Sequence, residues 1–142
     1  MSPVVVVGED NPYGKDPRYA LYHEPPNSAG GRLRRLVFGL RVVSYHRYTR
    51  RYNLCGGKGN TREACATAAE LLCSREEDRT YVLLGRKVAT AFDVGTHPLF
   101  SVVKVDDADG CLWPCVLLPH PSGRCREWNE PGAFDTARAI LR

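Results

Sequence analysis

Four consecutive valines, Val4–Val7, form the first apolar run of the chain. An unbroken β-branched run has no polar side to offer water. It predicts a strand covered on both faces, as in a parallel sheet between helices. "TYVLLG" predicts a second such strand at Tyr81–Leu84, and Val116–Leu118 a third. Between these runs the pattern changes to helical spacing. Leu33, Leu36, Val37 and Leu40 fall at i, i+3, i+4, i+7 and predict an amphipathic helix. Asn60 and Glu63 have capping-box spacing ahead of a helix over Arg62–Cys73. Shorter helices are expected over Arg86–Phe92 and Pro131–Leu141, the last with proline in its first turn. A strand runs into "YNLC", and "SVVKVDDADGCLWPCVLLP" reads as a hairpin turned at "DADG" or as two short strands. Alternating strand and helix predict an α/β domain of three layers, α/β/α, over residues 1–142. Its central sheet is expected to be mainly parallel and four-stranded. The strands are Val4–Val7, the one before Asn53, Tyr81–Leu84 and Val116–Leu118.

Composition narrows the setting. Charged residues make up 25% and apolar ones 43% of 142 residues, as in a globular domain. No apolar run reaches the roughly 20 residues of a membrane span, and the N-terminus has no secretory pattern. A cytoplasmic monomer with no membrane partner is the expectation. The net charge is +4, and of 20 cationic residues only Lys15, Lys58, Lys87 and Lys104 are lysines. Arginine suits bidentate phosphate contacts. Six cysteines include no CxxC pair, and free, mostly buried thiols are expected rather than a metal or cluster. Cys111 and Cys115, four apart, would share one face of a strand. "GGKG" lacks the full spacing of a phosphate-binding P-loop. "RYTRR" reads as solvated surface, and Trp113 and Trp128 as packing residues.

In parallel sheets, working residues gather on loops leaving the carboxyl ends of the strands. Three loops qualify: "GEDNPYG", "NLCGGKG" and "PHPSGRCREWN". The first reads as a tight polar turn locked by Pro12.

These loops carry a resemblance. "GEDNPYG" and "HPSG" resemble the first and last motifs of the uracil-DNA glycosylase superfamily. "YNLC" is similar to its base-reading strand, "AGGRLRRLV" to its first helix and "VLLGRKVATAF" to its third strand with the following helix. The five segments stand in the family's order over nearly the whole chain. The resemblance implies a DNA glycosylase that needs no cofactor and no metal, with single- or double-stranded DNA as partner. Asn11, Glu9 or Asp10 would hold the attacking water, and His120 would donate to the departing base. Asn53 would read the base edge, with Tyr13 screening a methyl group and Pro25 or Tyr22 in the place of the stacking ring. Ser122, Gly123, Arg124, Arg126 and Lys58 would face the DNA backbone.

The chemistry agrees with those residue types. Breaking a base–sugar bond builds positive charge on the sugar and negative charge on the base. Water must then be held by a carboxylate or amide, and a donor must meet the anion. The base must leave its stack and be read on its Watson–Crick edge, which an Asn carboxamide can match. Two other readings stand beside this one: a nucleic-acid-binding module that keeps the pocket without turnover, and a hydrolase of free nucleosides or nucleotides.

Overall fold

The structure, a computed structural model, describes residues 3–11, 16–56, 60–107 and 109–141. It is a mixed α/β fold around one five-stranded sheet. The strands are β1 (Val4–Asn11), β2 (Thr49–Gly56), β3 (Thr80–Leu84), β4 (Ser101–Asp106) and β5 (Leu112–Leu118). Their order is β2-β1-β3-β5-β4. The pairs β1–β2, β1–β3 and β3–β5 are parallel, and only β4 runs antiparallel, along β5.

The four strands expected as parallel neighbours are neighbours, but the expected count of four is corrected to five. β4 is the added one, and its burial explains its edge position. Val103 and Val105 are buried, while Val102, Lys104 and Asp106 face solvent. Such alternation suits an antiparallel edge strand with one wet face.

β1 lies inside the sheet between β2 and β3, and its valines supply both cores. Val5 and Val7 pack with Leu83, Leu117, Ala68 and Val88 on one face. Val4 and Val6 pack with Leu33, Val37, Leu118 and Ala137 on the other. All four are at most 2% exposed. Burying each is worth about 1.5–3 kcal/mol. Helices α3 (Thr61–Cys73) and α4 (Arg86–Ala91) supply the first face. Helices α2 (Val42–Tyr48) and α5 (Ala133–Leu141) supply the second, together with α1 (Ala29–Arg32), which continues as a π-helical segment over Leu33–Phe38.

Local chemistry sets the helix ends. Ser28 Oγ accepts from the Gly31 N–H at 3.1 Å and caps α1. The two glycines that follow are steric necessities. A Cβ on Gly30 would meet the Tyr22 carbonyl oxygen at 2.0 Å, and one on Gly31 the Pro25 oxygen at 2.5 Å. The helix expected around Leu33 therefore starts earlier and presses onto segment 21–26. Arg138 of α5 donates to the Leu36 carbonyl at 2.7 Å, near the π segment's end. Asn60 caps α3 as expected, its Oδ1 accepting from the Glu63 N–H at 2.9 Å. The Glu63 carboxylate turns instead to the Gly56 N–H, at 3.2 Å, tying α3 to the end of β2. α5 starts at Ala133 rather than Pro131, since Gly132 sits at φ 78°. α2 is unassigned in the sequence, and its one buried side chain, Tyr45, is too little for a periodicity.

All six cysteines are free, but the expectation that most are buried is corrected. Only Cys55 and Cys115 are buried, while Cys65, Cys73 and Cys111 are exposed. Cys65 and Cys73 lie on the solvent side of α3. Cys111 precedes β5, so it shares no strand face with Cys115. Among the described residues, no helix is long and apolar enough to cross a membrane. No group of three or more His, Cys, Asp or Glu among them could hold a metal ion.

Candidate active-site cleft

The polar run after the valines is not a turn. β1 continues through Gly8, Glu9, Asp10 and Asn11, because β2 runs on beside it to Gly56. Asp10 pairs with Cys55 and Asn11 with Gly56. Simple alternation would put the two carboxylates on opposite faces, yet both line the cleft and both reach the α3–α4 side. Gly8 and Asp10 follow Val4 and Val6, and Glu9 follows Val5 and Val7. On its side Glu9 meets α4, where Lys87 Nζ lies 3.0 Å from its Oε1. Pro12, Tyr13 and Lys58 lie outside the described residues, as does the side chain of Asn11.

A cleft of about 490 Å³ opens at the carboxyl ends of β1, β2 and β5. Glu9, Asp10, Asn53, Tyr22, His120 and Arg124 all line it. Segments far apart in the chain thus bring six of the expected residues together. The floor is Asn53 on Gly8, its register partner. A Cβ on Gly8 would come within 2.9 Å of Asn53 Nδ2. Asn53 Oδ1 is buried and accepts no hydrogen bond among the described residues. A buried acceptor left unmatched costs about 1–3 kcal/mol, which a donor on a ligand would recover.

His120 stands on the loop after β5, and three hydrogen bonds fix that loop. Arg32 Nε donates to the Pro121 carbonyl at 2.7 Å. Trp128 Nε1 donates to the His120 carbonyl at 2.9 Å. The Arg124 N–H donates to Ser122 Oγ at 3.1 Å. The Ser122 N–H also donates to His120 Nδ1, at 3.3 Å. That bond determines the tautomer. With Nδ1 accepting, a neutral imidazole carries its proton on Nε2 and is a donor. Burial pushes the His120 pKa below its ordinary 6.5, although Glu9 and Asp10 pull it back upward. The ring is therefore held as a neutral donor.

Other expected residues lie elsewhere. Pro25 lines a neighbouring groove, with Tyr22 on the border of both. Arg126 sits with Phe100, Glu127 and Thr136 in a separate depression. Gly123 lies beside Arg32, its virtual Cβ 3.9 Å from the guanidinium carbon. Ser122 acts within its own loop. Trp113 and Trp128 are buried, as expected of packing residues.

The sequence reading did not single out Tyr19, Leu21, Ser28 and Gly30, which wall the cleft. The Gly30–Gly31 pair is the signal for that wall, since paired glycines in a helix mark a close backbone approach. Leu21 is fixed from behind by the Tyr45 hydroxyl, which donates to its carbonyl at 2.7 Å.

The cleft thus combines a buried amide acceptor, a neutral imidazole donor and a carboxylate at the ends of parallel strands. No family model matches the chain, and no curated protein matches it significantly.

Proposed function

We propose that this chain is a DNA glycosylase of the uracil-DNA glycosylase superfamily, with that family's three-layer α/β/α arrangement. It hydrolyses the N-glycosidic bond of a flipped uracil-like or modified pyrimidine. The observation that carries this reading is the pairing, in one cleft, of the unmatched Asn53 Oδ1 with the His120 Nε2–H donor.

The ring of a uracil-like base offers an N–H and two carbonyls on one edge. Asn53 Oδ1 accepts from the N–H, and its Nδ2 donates to the neighbouring carbonyl. The other carbonyl oxygen receives His120 Nε2–H. As the base–sugar bond breaks, its electron pair moves onto the base, and this donor stabilises the growing anion. Asp10, which lines the cleft with Asn53, orients a water toward the sugar carbon. The water's oxygen bonds to that carbon and its proton leaves to the carboxylate. The products are the free base and an abasic sugar.

The test is excision from oligonucleotides carrying uracil, hypoxanthine, xanthine or modified pyrimidines, in single and double strands. Alkali-labile abasic sites should appear with at least one pyrimidine lesion. Turnover of free nucleosides without any oligonucleotide cleavage would make it a nucleoside hydrolase. No turnover at all would leave a binding module.

A further inference from the structure

The sheet has two edges, and they differ. At one edge β2 is covered, since α2 and the 3-10 helix Pro17–Tyr19 pack against it. At the other edge stands β4, whose broad contact is with β5 alone.

The ladder between β4 and β5 determines which backbone groups are left over. The Asp107 N–H donates to the Cys111 carbonyl at 2.9 Å, in the register that pairs Asp106 with Leu112 and Lys104 with Pro114. Along an antiparallel strand, residues alternate between bonding to the neighbour and facing away from it. Val103 and Val105 therefore bond to β5. The N–H and C=O groups of Val102, Lys104 and Asp106 point outward along the free edge. The side chains of these three share the wet face of the sheet. That face also carries Leu112, so Val102 and Leu112 stand 58% and 62% exposed beside the two charges. Neither Lys104 nor Asp106 takes part in an ion pair among the described residues.

An open row of donors and acceptors is a template for another strand. The strand whose charges fit this row is β4 itself. In a two-fold antiparallel pairing, outward-bonding residues must meet outward-bonding residues. Three registers within the strand allow this. One centred on Lys104 sets that lysine against its own copy. One centred on Val103 sets Lys104 against Val102. One centred on Val105 sets Lys104 against Asp106 of the other copy, twice by symmetry. A lysine on an edge ordinarily opposes pairing. Only the last register meets it with an opposite charge directly across the strands.

We infer that the protein forms a two-fold dimer through β4, with Lys104 of each copy opposite Asp106 of the other and the two sheets joined into one. This goes beyond the glycosylase reading and does not depend on it. It replaces the monomer expected from the sequence. The paired residues lie beside the start of β5, whereas His120 follows its end. Both clefts therefore stay open, and they face opposite ways. A short edge strand buries little area, so the dimer is weak and forms as concentration rises.

The test is sedimentation velocity over a concentration series, with mass read against the 15.8 kDa of one chain. Wild type should move toward twice that mass. Lys104→Asp and Asp106→Lys should each stay monomeric where wild type is mostly dimer, because each variant opposes like charges. An equimolar mixture of the two should regain the dimer, since one edge is then wholly acidic and the other wholly basic. Circular dichroism checks that both variants fold. Hydrogen exchange on wild type needs no variant, and decides alone if either fails to fold. The N–H groups of Val102, Lys104 and Asp106 should slow as the dimer forms, while those of β2 stay unchanged. A wild type that remains monomeric throughout would overturn the inference. So would dimerisation of folded Lys104→Asp at wild-type strength, a mixture of folded variants that stays monomeric, or slowing along β2 instead of β4.

Discussion

Asn53 rests on Gly8 so closely that a single methyl group on Gly8 would come within 2.9 Å of Asn53 Nδ2. Gly8→Ala should therefore move the carboxamide off the floor of the cleft. Overpacking of this kind costs about 1–3 kcal/mol, read as a lower urea midpoint. Base binding should weaken in the same variant. Asn53→Ala should weaken binding without the steric cost. If Gly8→Ala is as stable as the parent and cuts as well, Asn53 is not seated as described.

His120 should matter most to the chemical step. A preorganised donor to a developing anion is worth about 3–4 kcal/mol, or on the order of 10²–10³ in rate. His120→Ala should slow single-turnover excision by that factor with the fold intact by circular dichroism. Excision at the parental rate would end the donor role.

The two carboxylates should differ. Both line the cleft, but Glu9 is held by Lys87 of α4, 3.0 Å away. Asp10→Asn should slow excision by roughly 10²-fold or more, within the usual range for a positioned base. Glu9→Gln should cost less than about tenfold. The opposite ranking would move the water to the α4 side of β1.

Acid should destabilise the fold through two histidines. Burial lowers the pKa of both His120 and His46 below 6.5, and Arg51 and His23 lower His46 further. A depressed histidine binds fewer protons folded than unfolded. Its contribution is complete above pH 6.5 and is lost as pH falls through the depressed folded value. Urea midpoints should therefore drop on acidification below 6.5. The drop should shrink in the double variant His46→Gln, His120→Gln. The acid limb of the excision profile should also lie below 6.5, because His120 stays a neutral donor there. An unchanged drop in the double variant would assign it to other groups.

Thiol chemistry should follow exposure. Burial pushes Cys115 up to about 12 and also raises Cys55. A disulfide reagent on the native protein should label Cys65, Cys73 and Cys111 quickly and leave Cys55 and Cys115 until unfolding. Fast labelling of Cys115, read by peptide mass, would contradict the packing of β5.

The sheet was legible because its strands are continuous apolar runs. Val4–Val7 and Tyr81–Leu84 have no alternative in water. "GEDN" was misread as a turn because polar residues after a buried strand carry a turn's composition. Only the extra length of β2 beside them keeps them extended, and that partner is remote in sequence. A helix at Leu33–Leu40 was legible, but its π form and α2 were not, for a related reason. Their form depends on Tyr45 reaching Leu21 and on Arg138 reaching Leu36, not on local periodicity. At the site, Asn53 and His120 were readable as strand-end residues. Tyr19 was not, since it ends a short 3-10 helix, Pro17–Tyr19, just ahead of the segment that presses on Gly30 and Gly31.

The Arg32–Pro121 hydrogen bond joins groups 89 residues apart. β1, made first, has its β3 partner only after Thr80 exists. Closing such long loops is slow, because their entropy is lost before the contacts form. A chain leaving the ribosome therefore has Asn53 long before it has a pocket. The cleft is completed last, when the loop after β5 docks against Arg32. During synthesis the cationic stretch 25–62, which has no acidic residue, is exposed before the loop after β5 exists to close the cleft.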